Sequence, residues 1–216
     1  PSSNSYTYTD VDNERVPRNT LNVEYAANIS SIRKEAAQSC KLINSVIHPN
    51  SITIIEDKAY QWCHSITHLC LSSSLQTIGE SSFYGCHSIA VLEIPPTLHI
   101  IKNGAFGCCR SLRVIVSQQL HEPLSLKTIE EAAFFRCSSL TGIPQLPSLQ
   151  TIEPRAFFSC RSLTEVTLEP SVISAARDSF EYCDSLAVLQ CTYRTHTVLP
   201  WAVTHVTLHP DTTHIH

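Results

Sequence analysis

Apolar residues recur along this chain in several registers at once. Ile32, Ile55, Ile78, Ile101, Ile129 and Ile152 are separated by 23, 23, 23, 28 and 23 residues. Three residues ahead of them stand Ile29, Ile52, Leu75, Leu98, Leu126 and Leu149, and five behind them Ala37, Tyr60, Phe83, Phe106, Phe134 and Phe157, with Phe180 one unit further on. A cysteine follows each of these after three more positions: Cys40, Cys63, Cys86, Cys109, Cys137, Cys160 and Cys183. Beyond it come Ile43 to Leu186 at the third position and Leu69 to Leu189 at the sixth. A fixed period in this range is the signature of a solenoid, because one short unit cannot bury its own apolar face and needs its neighbours to cover it.

The pattern within one period predicts three pieces. Leu92-Glu93-Ile94 and Val166-Thr167-Leu168 alternate inward, outward, inward, which is the period of a strand. The Leu-x-x-Ile pair gives a second short extended piece. Ser-Ser-Phe-Tyr-Gly-Cys and Ala-Ala-Phe-Phe-Arg-Cys are too short for a free helix and predict one helical turn. The expectation is an α/β solenoid of about seven to eight coils with parallel strands, residues 26–216, preceded by a polar non-repeat arm over residues 1–25. Each coil adds about 5 Å to the stack.

Runs such as Leu75-Gln-Thr-Ile-Gly-Glu-Ser-Ser-Phe-Tyr-Gly-Cys-His-Ser-Ile-Ala-Val-Leu-Glu-Ile-Pro resemble the BspA-like leucine-rich repeats of bacterial and protist surface proteins. The match runs from about Ile29 to Ile215. The resemblance implies a leucine-rich-repeat solenoid at the cell surface or outside the cell, used in adhesion and protein contact. It carries over no catalytic residue and names no partner.

The irregularities add detail. The five extra residues between Cys109 and Cys137, around Gln119-Leu-His-Glu-Pro-Leu, must leave the stack as a loop. Val206 follows Leu189 after 17 residues rather than 23, so the last coil is short and its edge at His216 is bare. Such an edge is either a loose tail or a template for head-to-tail stacking, which propagates into a filament unless it closes. Residues 1–25 are either a disordered leader or an arm along a neighbouring molecule, since Tyr6-Thr-Tyr-Thr is strand-like.

Charge and chemistry narrow the function. A net charge of −4 offers no basic footprint for nucleic acid, and no run of 18 apolar residues spans a membrane. The absence of Met and of a signal peptide points to a mature or trimmed product. The seven periodic cysteines fit a buried thiol ladder, since free Cys packs as a small apolar side chain. Cys70 and Cys108 lie off the inward columns and are expected to be exposed, and Cys191 to face the core. Asn28-Ile29-Ser30 is an N-glycosylation sequon. His64 and His87 share a surface column expected to be a solvated ridge, and His205, His209, His214 and His216 gather near the carboxyl end without a carboxylate or thiolate partner. No catalytic residue, metal or cofactor is expected.

Protein contact is expected on the outward strand positions, with Val91, Glu93, Val114, Val116, Glu165 and Thr167 as candidates. Two functions follow: an extracellular subunit that stacks on itself into a homo-oligomeric filament or layer, or an adhesin that binds a foreign protein along its sheet.

Overall fold

The computed structural model describes residues 5–9, 14–117, 124–193 and 205–208, with only the backbone of 191–193 and 205–208. The chain winds as a parallel β-solenoid. Its longer strands form one wide face: β1 (Ser5–Tyr8), β2 (Asn22–Tyr25), β4 (Ser45–Ile47), β6 (His68–Cys70), β8 (Val91–Ile94), β10 (Val114–Ser117), β13 (Glu165–Leu168), β15 (Val188–Tyr193) and β16 (His205–Leu208). Two-residue strands at the Leu-x-x-Ile pairs form the narrow face: β3 (Ser31–Ile32), β5 (Ile54–Ile55), β7 (Thr77–Ile78), β9 (Ile100–Ile101), β11 (Thr128–Ile129), β12 (Thr151–Ile152) and β14 (Ser174–Ala175). These seven pair in one parallel sheet in chain order, Ile on Ile from Ile32 to Ile152 and then Ala175. Every described strand pair is parallel, as stacking of successive coils requires.

The expected helical turn does not form, and no helix occurs among the described residues. The backbone hydrogen bonds show why. In the coil around Cys86, the N–H groups of Ser82, Tyr84 and Cys86 close tight turns onto the carbonyls of Gly79, Ser81 and Phe83. The alternate N–H groups, of Ser81, Phe83 and Gly85, donate instead to Asn103, Ala105 and Gly107 of the next coil, each at 2.8 Å. A helix would turn every donor back on its own segment and leave the coils unlinked on this side. The alternation requires left-handed backbone five residues and one residue before the cysteine. Lys58 and Trp62, Ser81 and Gly85, and Gly104 and Cys108 all have φ between 51° and 75°. The architecture is therefore all-β, not α/β.

The described residues of the amino-terminal segment, 5–9 and 14–25, carry two strands of the stack. β2 pairs with β4 in the register of the repeat, Val23 beside Val46, and β1 pairs with β2. Val23 and Tyr8 are buried, so the described part of this segment packs on the amino-terminal end of its own stack. The insertion at residues 118–123 and the bare edge expected at His216 lie outside the described residues.

The core consists of the predicted columns. Tyr60, Phe83, Phe106, Phe134, Phe157 and Phe180 form one row of stacked rings, 5.1 to 5.5 Å apart and within 10° of parallel. Ala37 carries no ring, and beyond Tyr60 the row continues through His48, Tyr25 and Tyr8.

Each ladder cysteine has a definite partner. The Sγ–H of Cys86 donates to the Tyr60 carbonyl at 3.2 Å, Cys109 to Phe83 at 3.3 Å and Cys137 to Phe106 at 3.2 Å. That carbonyl already accepts an N–H within its own coil, as Tyr60 does from Cys63, so the thiol uses the second lone pair. Burial pushes the Cys86, Cys109, Cys137 and Cys160 thiols well above their ordinary pKa, and Cys183 up to about 11. Thiolate is the reactive form, so these groups are expected to be inert. Iodoacetamide at about pH 7.5 should modify Cys70 first among the described cysteines, and the ladder only in denaturant. Native labelling of Cys86 or Cys137 in a peptide map would overturn this account.

Candidate functional site

The wide face presents its outward residues in two columns, and strand register sets them side by side. Ile47 pairs with Cys70 across β4 and β6, while Val91 pairs with Val114 and Glu93 with Val116 across β8 and β10. Ile47 is 63% exposed, Val91 44% and Val114 36%, with Val116 half-buried beside them. Cys70 is exposed. These side chains make an apolar stripe interrupted by the exposed Glu93. Glu165 and Thr167 are exposed on β13, two coils beyond β10, and Gly142 bridges Val114 in the coil between. The structure thus brings four of the six candidates together and sets the other two at the edge.

Ile47 was missed by the sequence reading, although it occupies the same outward register as Cys70 and Val116. At the amino-terminal end the stripe opens into a groove of about 480 Å³ lined by Asn22, Glu24, Tyr25, Ser45, Ile47 and Pro49 among others. His48 also lines it and is buried. Its Nε2 lies 2.9 Å from the Tyr60 hydroxyl, which is 2.5 Å from that of Tyr25. Burial holds the His48 pKa down at about 3, only partly offset by the Cys70 carbonyl, so the ring is neutral. Burial raises both tyrosines far beyond their ordinary range. Nothing in this chain of hydroxyls is activated for proton transfer at neutral pH. It completes the polar end of the ring row.

Cys108 is not exposed. Its accessible fraction is 7%, and its thiol donates to the Tyr84 hydroxyl at 3.3 Å. The left-handed backbone at this position, φ 59°, turns the side chain sideways along the stack. Asn28 is exposed in the turn between β2 and β3. His64 and His87 stack at 4.7 Å with rings 7° from parallel. The side chain of Cys191 and the carboxyl-terminal histidines lie outside the described residues. Among the described residues no three His, Cys, Asp or Glu side chains are grouped to hold a metal ion. No helix there is long and apolar enough to cross a membrane.

The family model for the BspA type leucine rich repeat region, present in 6 copies, matches residues 17–122 and 117–208. The chain belongs to the BspA-type leucine-rich repeat family. Its match begins at residue 17, inside the segment that caps the stack. No curated protein matches this BspA-type chain in sequence. Among solved structures it is similar to the leucine rich repeat protein of T. pallidum, at 27% identity and a TM-score of 0.52, covering 63% of this chain and 64% of that one. The chain therefore spans less than two thirds of that relative's length. A leucine rich cell surface protein of Faecalibacterium prausnitzii aligns at 14% identity and TM-score 0.43, over 95% of this chain and 79% of its own. The pneumococcal vaccine antigen PcpA aligns at 14% identity and TM-score 0.35, over 94% and 74%.

Proposed function

We propose that this chain is a non-enzymatic protein-interaction module, displayed extracellularly or at the cell surface, that binds another protein along its wide strand face. The observation that carries this reading is the apolar stripe from Ile47 through Cys70 to Val91, Val114 and Val116. Side chains in that register have no structural reason to be apolar, because the core lies on the opposite side of the strands. Contiguous exposed apolar surface marks contact sites. Glu93 sets one charge within the stripe, and Glu165 and Thr167 border it with polar groups of the kind that orient a partner. Membership of a surface-protein repeat family supports the location, and the cell-surface description of the Faecalibacterium protein agrees with it.

A second copy of the chain is the other possible occupant. Self-association into a homo-oligomer or filament would then run through this face.

Replacing Val114 and Val116 together by Asp tests both. Both residues point outward, so melting temperature should change little. Binding to a panel of immobilised extracellular proteins, measured beside sedimentation velocity, should lose at least about tenfold in affinity or shift to monomer. Unchanged binding and unchanged sedimentation would remove the wide face as the contact surface.

A further inference from the structure

A second surface runs along the stack where the coil leaves the cysteine. Segments 15–21, 38–44, 61–67, 84–90, 107–113, 135–141 and 158–164 contain no Asp or Glu, although the chain has 19 acidic residues and a net charge of −4. The position after the cysteine, or after Pro17 in the first coil, is occupied in register by Arg18, Lys41, His64, His87, Arg110, Ser138 and Arg161, and the column ends on the acidic Asp184. The 4.7 Å separation of the His64 and His87 rings is the spacing of the coils themselves. Arg113 and Arg136 flank the column and are exposed, as are Arg18, Lys41 and Arg110. The described ion pairs within reach of the strip are confined to its ends, Arg15 with Glu35 and Arg161 with Asp184, and are exposed and weak.

The members of this strip act on one another. Burial, with a smaller contribution from Lys41, holds His64 below its usual pKa, and burial, with smaller contributions from His64 and Arg110, does the same for His87. Arg110 and Arg136 both lie close enough to act on the Tyr84 hydroxyl. The fixed positive charges are Arg18 and Lys41 one coil apart at one end and Arg110, Arg113 and Arg136 on neighbouring coils further along. Neutral His64 and His87 lie between the two groups, with no carboxylate in these segments, an arrangement that favours an external anion.

Two further features decide which anion. Ser65, Ser88, Ser111, Ser139 and Ser162 form a hydroxyl column directly beside the cations. Aromatic rings border the other side, held by packing. A Cβ on Gly85 would stand 2.2 Å from Cε3 of Trp62, and one on Gly107 would stand 2.6 Å from Cδ2 of Tyr84, so each ring lies against a glycine of the next coil. Trp62 also meets Tyr84 edge-on at 5.1 Å, and Phe135 stacks on Phe158 at 5.4 Å beneath the Arg136 guanidinium. Rings held this way offer fixed flat faces beside the cations.

We propose that this strip binds a linear sulfated polysaccharide lying along the stack. Its sulfates would pair with the guanidinium and ammonium groups, its hydroxyls with the serine column, and its ring faces with the half-buried aromatics. Strong-acid sulfates remain anionic at every pH the protein meets.

Heparin is the probe, with oligo-dT and polyglutamate of similar charge as comparators, measured by calorimetry at about 0.15 M salt. The wild-type chain should bind heparin at least about fivefold more tightly than either comparator, and Arg110→Glu with Arg136→Glu should weaken it at least about tenfold. Lys127→Glu with Arg177→Glu makes the same charge change at exposed sites outside the strip and should stay within about twofold. Should the first pair fail to fold by circular dichroism, Arg18→Glu with Lys41→Glu at the other end of the strip gives the same reading. No heparin binding, equal loss in strip and control variants, or binding of either comparator as tight as heparin would each overturn the proposal.

Discussion

Phe106→Ala is expected to lower unfolding free energy by about 3–5 kcal/mol. The ring is fully buried and sits between Phe83 at 5.2 Å and Phe134 at 5.5 Å, within 7° of parallel to both. Truncation leaves a cavity bounded above and below by flat ring faces. Those rings are fixed by backbone bonds from each coil to the next, so they have little freedom to collapse inward. Stacking adds about 0.5–1.5 kcal/mol per ring pair to the lost burial, which places the cost toward the upper part of the range. In a solenoid each coil touches only its neighbours, so the damage falls on the two interfaces that hold the stack together at its centre. Urea unfolding should show a lower midpoint and, where the two halves uncouple, a broadened or split transition. A loss under about 1 kcal/mol would mean that the ring row does not carry the core.

Acid should destabilise the amino-terminal end through His48. In the unfolded chain this imidazole takes up a proton near pH 6.5, whereas in the folded one it stays neutral down to about 3. Between those values the unfolded state binds more protons, so stability falls as pH falls, by about 1.4 kcal/mol per unit. The loss attributable to this group should reach about 2–3 kcal/mol by about pH 4.5. Protonation would put a charge beside the linked Tyr60 and Tyr25 hydroxyls, in a site with no carboxylate hydrogen-bonded to the ring. The check is the difference between wild type and His48→Gln in unfolding free energy at several pH values. That difference should change by the stated amount between about pH 6.5 and 4.5, and curves that stay parallel would rule His48 out.

These two expectations rest on different kinds of legibility. Phe106 was identifiable from spacing alone, because a residue in a periodic apolar column can be nowhere but the core. His48 was not, since it belongs to no column. It becomes buried because Ala37 leaves its coil without a ring and the neighbouring coils bring Tyr25 and Tyr60 around it. Pro17 stands where a cysteine would mark the first coil, which hid the register of Val23 with Val46. Cys108 looked exposed by position, but a left-handed backbone turns its thiol onto Tyr84.

The aromatic and cationic strip was legible only in part. His64 and His87 were seen to share a column, but Tyr84, Phe135 and Phe158 stand two residues before their cysteines, Trp62 one before its own, and Gly107 interrupts them, so the aromatic register is broken. The absence of carboxylates becomes visible only when the coils are laid over one another.

The sequence by itself determined the solenoid, its period, its inward columns and its family, because burying an apolar face once per coil leaves little choice of spacing. The tertiary structure alone decided how the backbone closes each coil. Ala-Phe-x-x-Cys is locally compatible with a helical turn, and the turn is lost because every second N–H is taken by a carbonyl in the next coil. That partner lies about one period away in the chain and is absent from any local window.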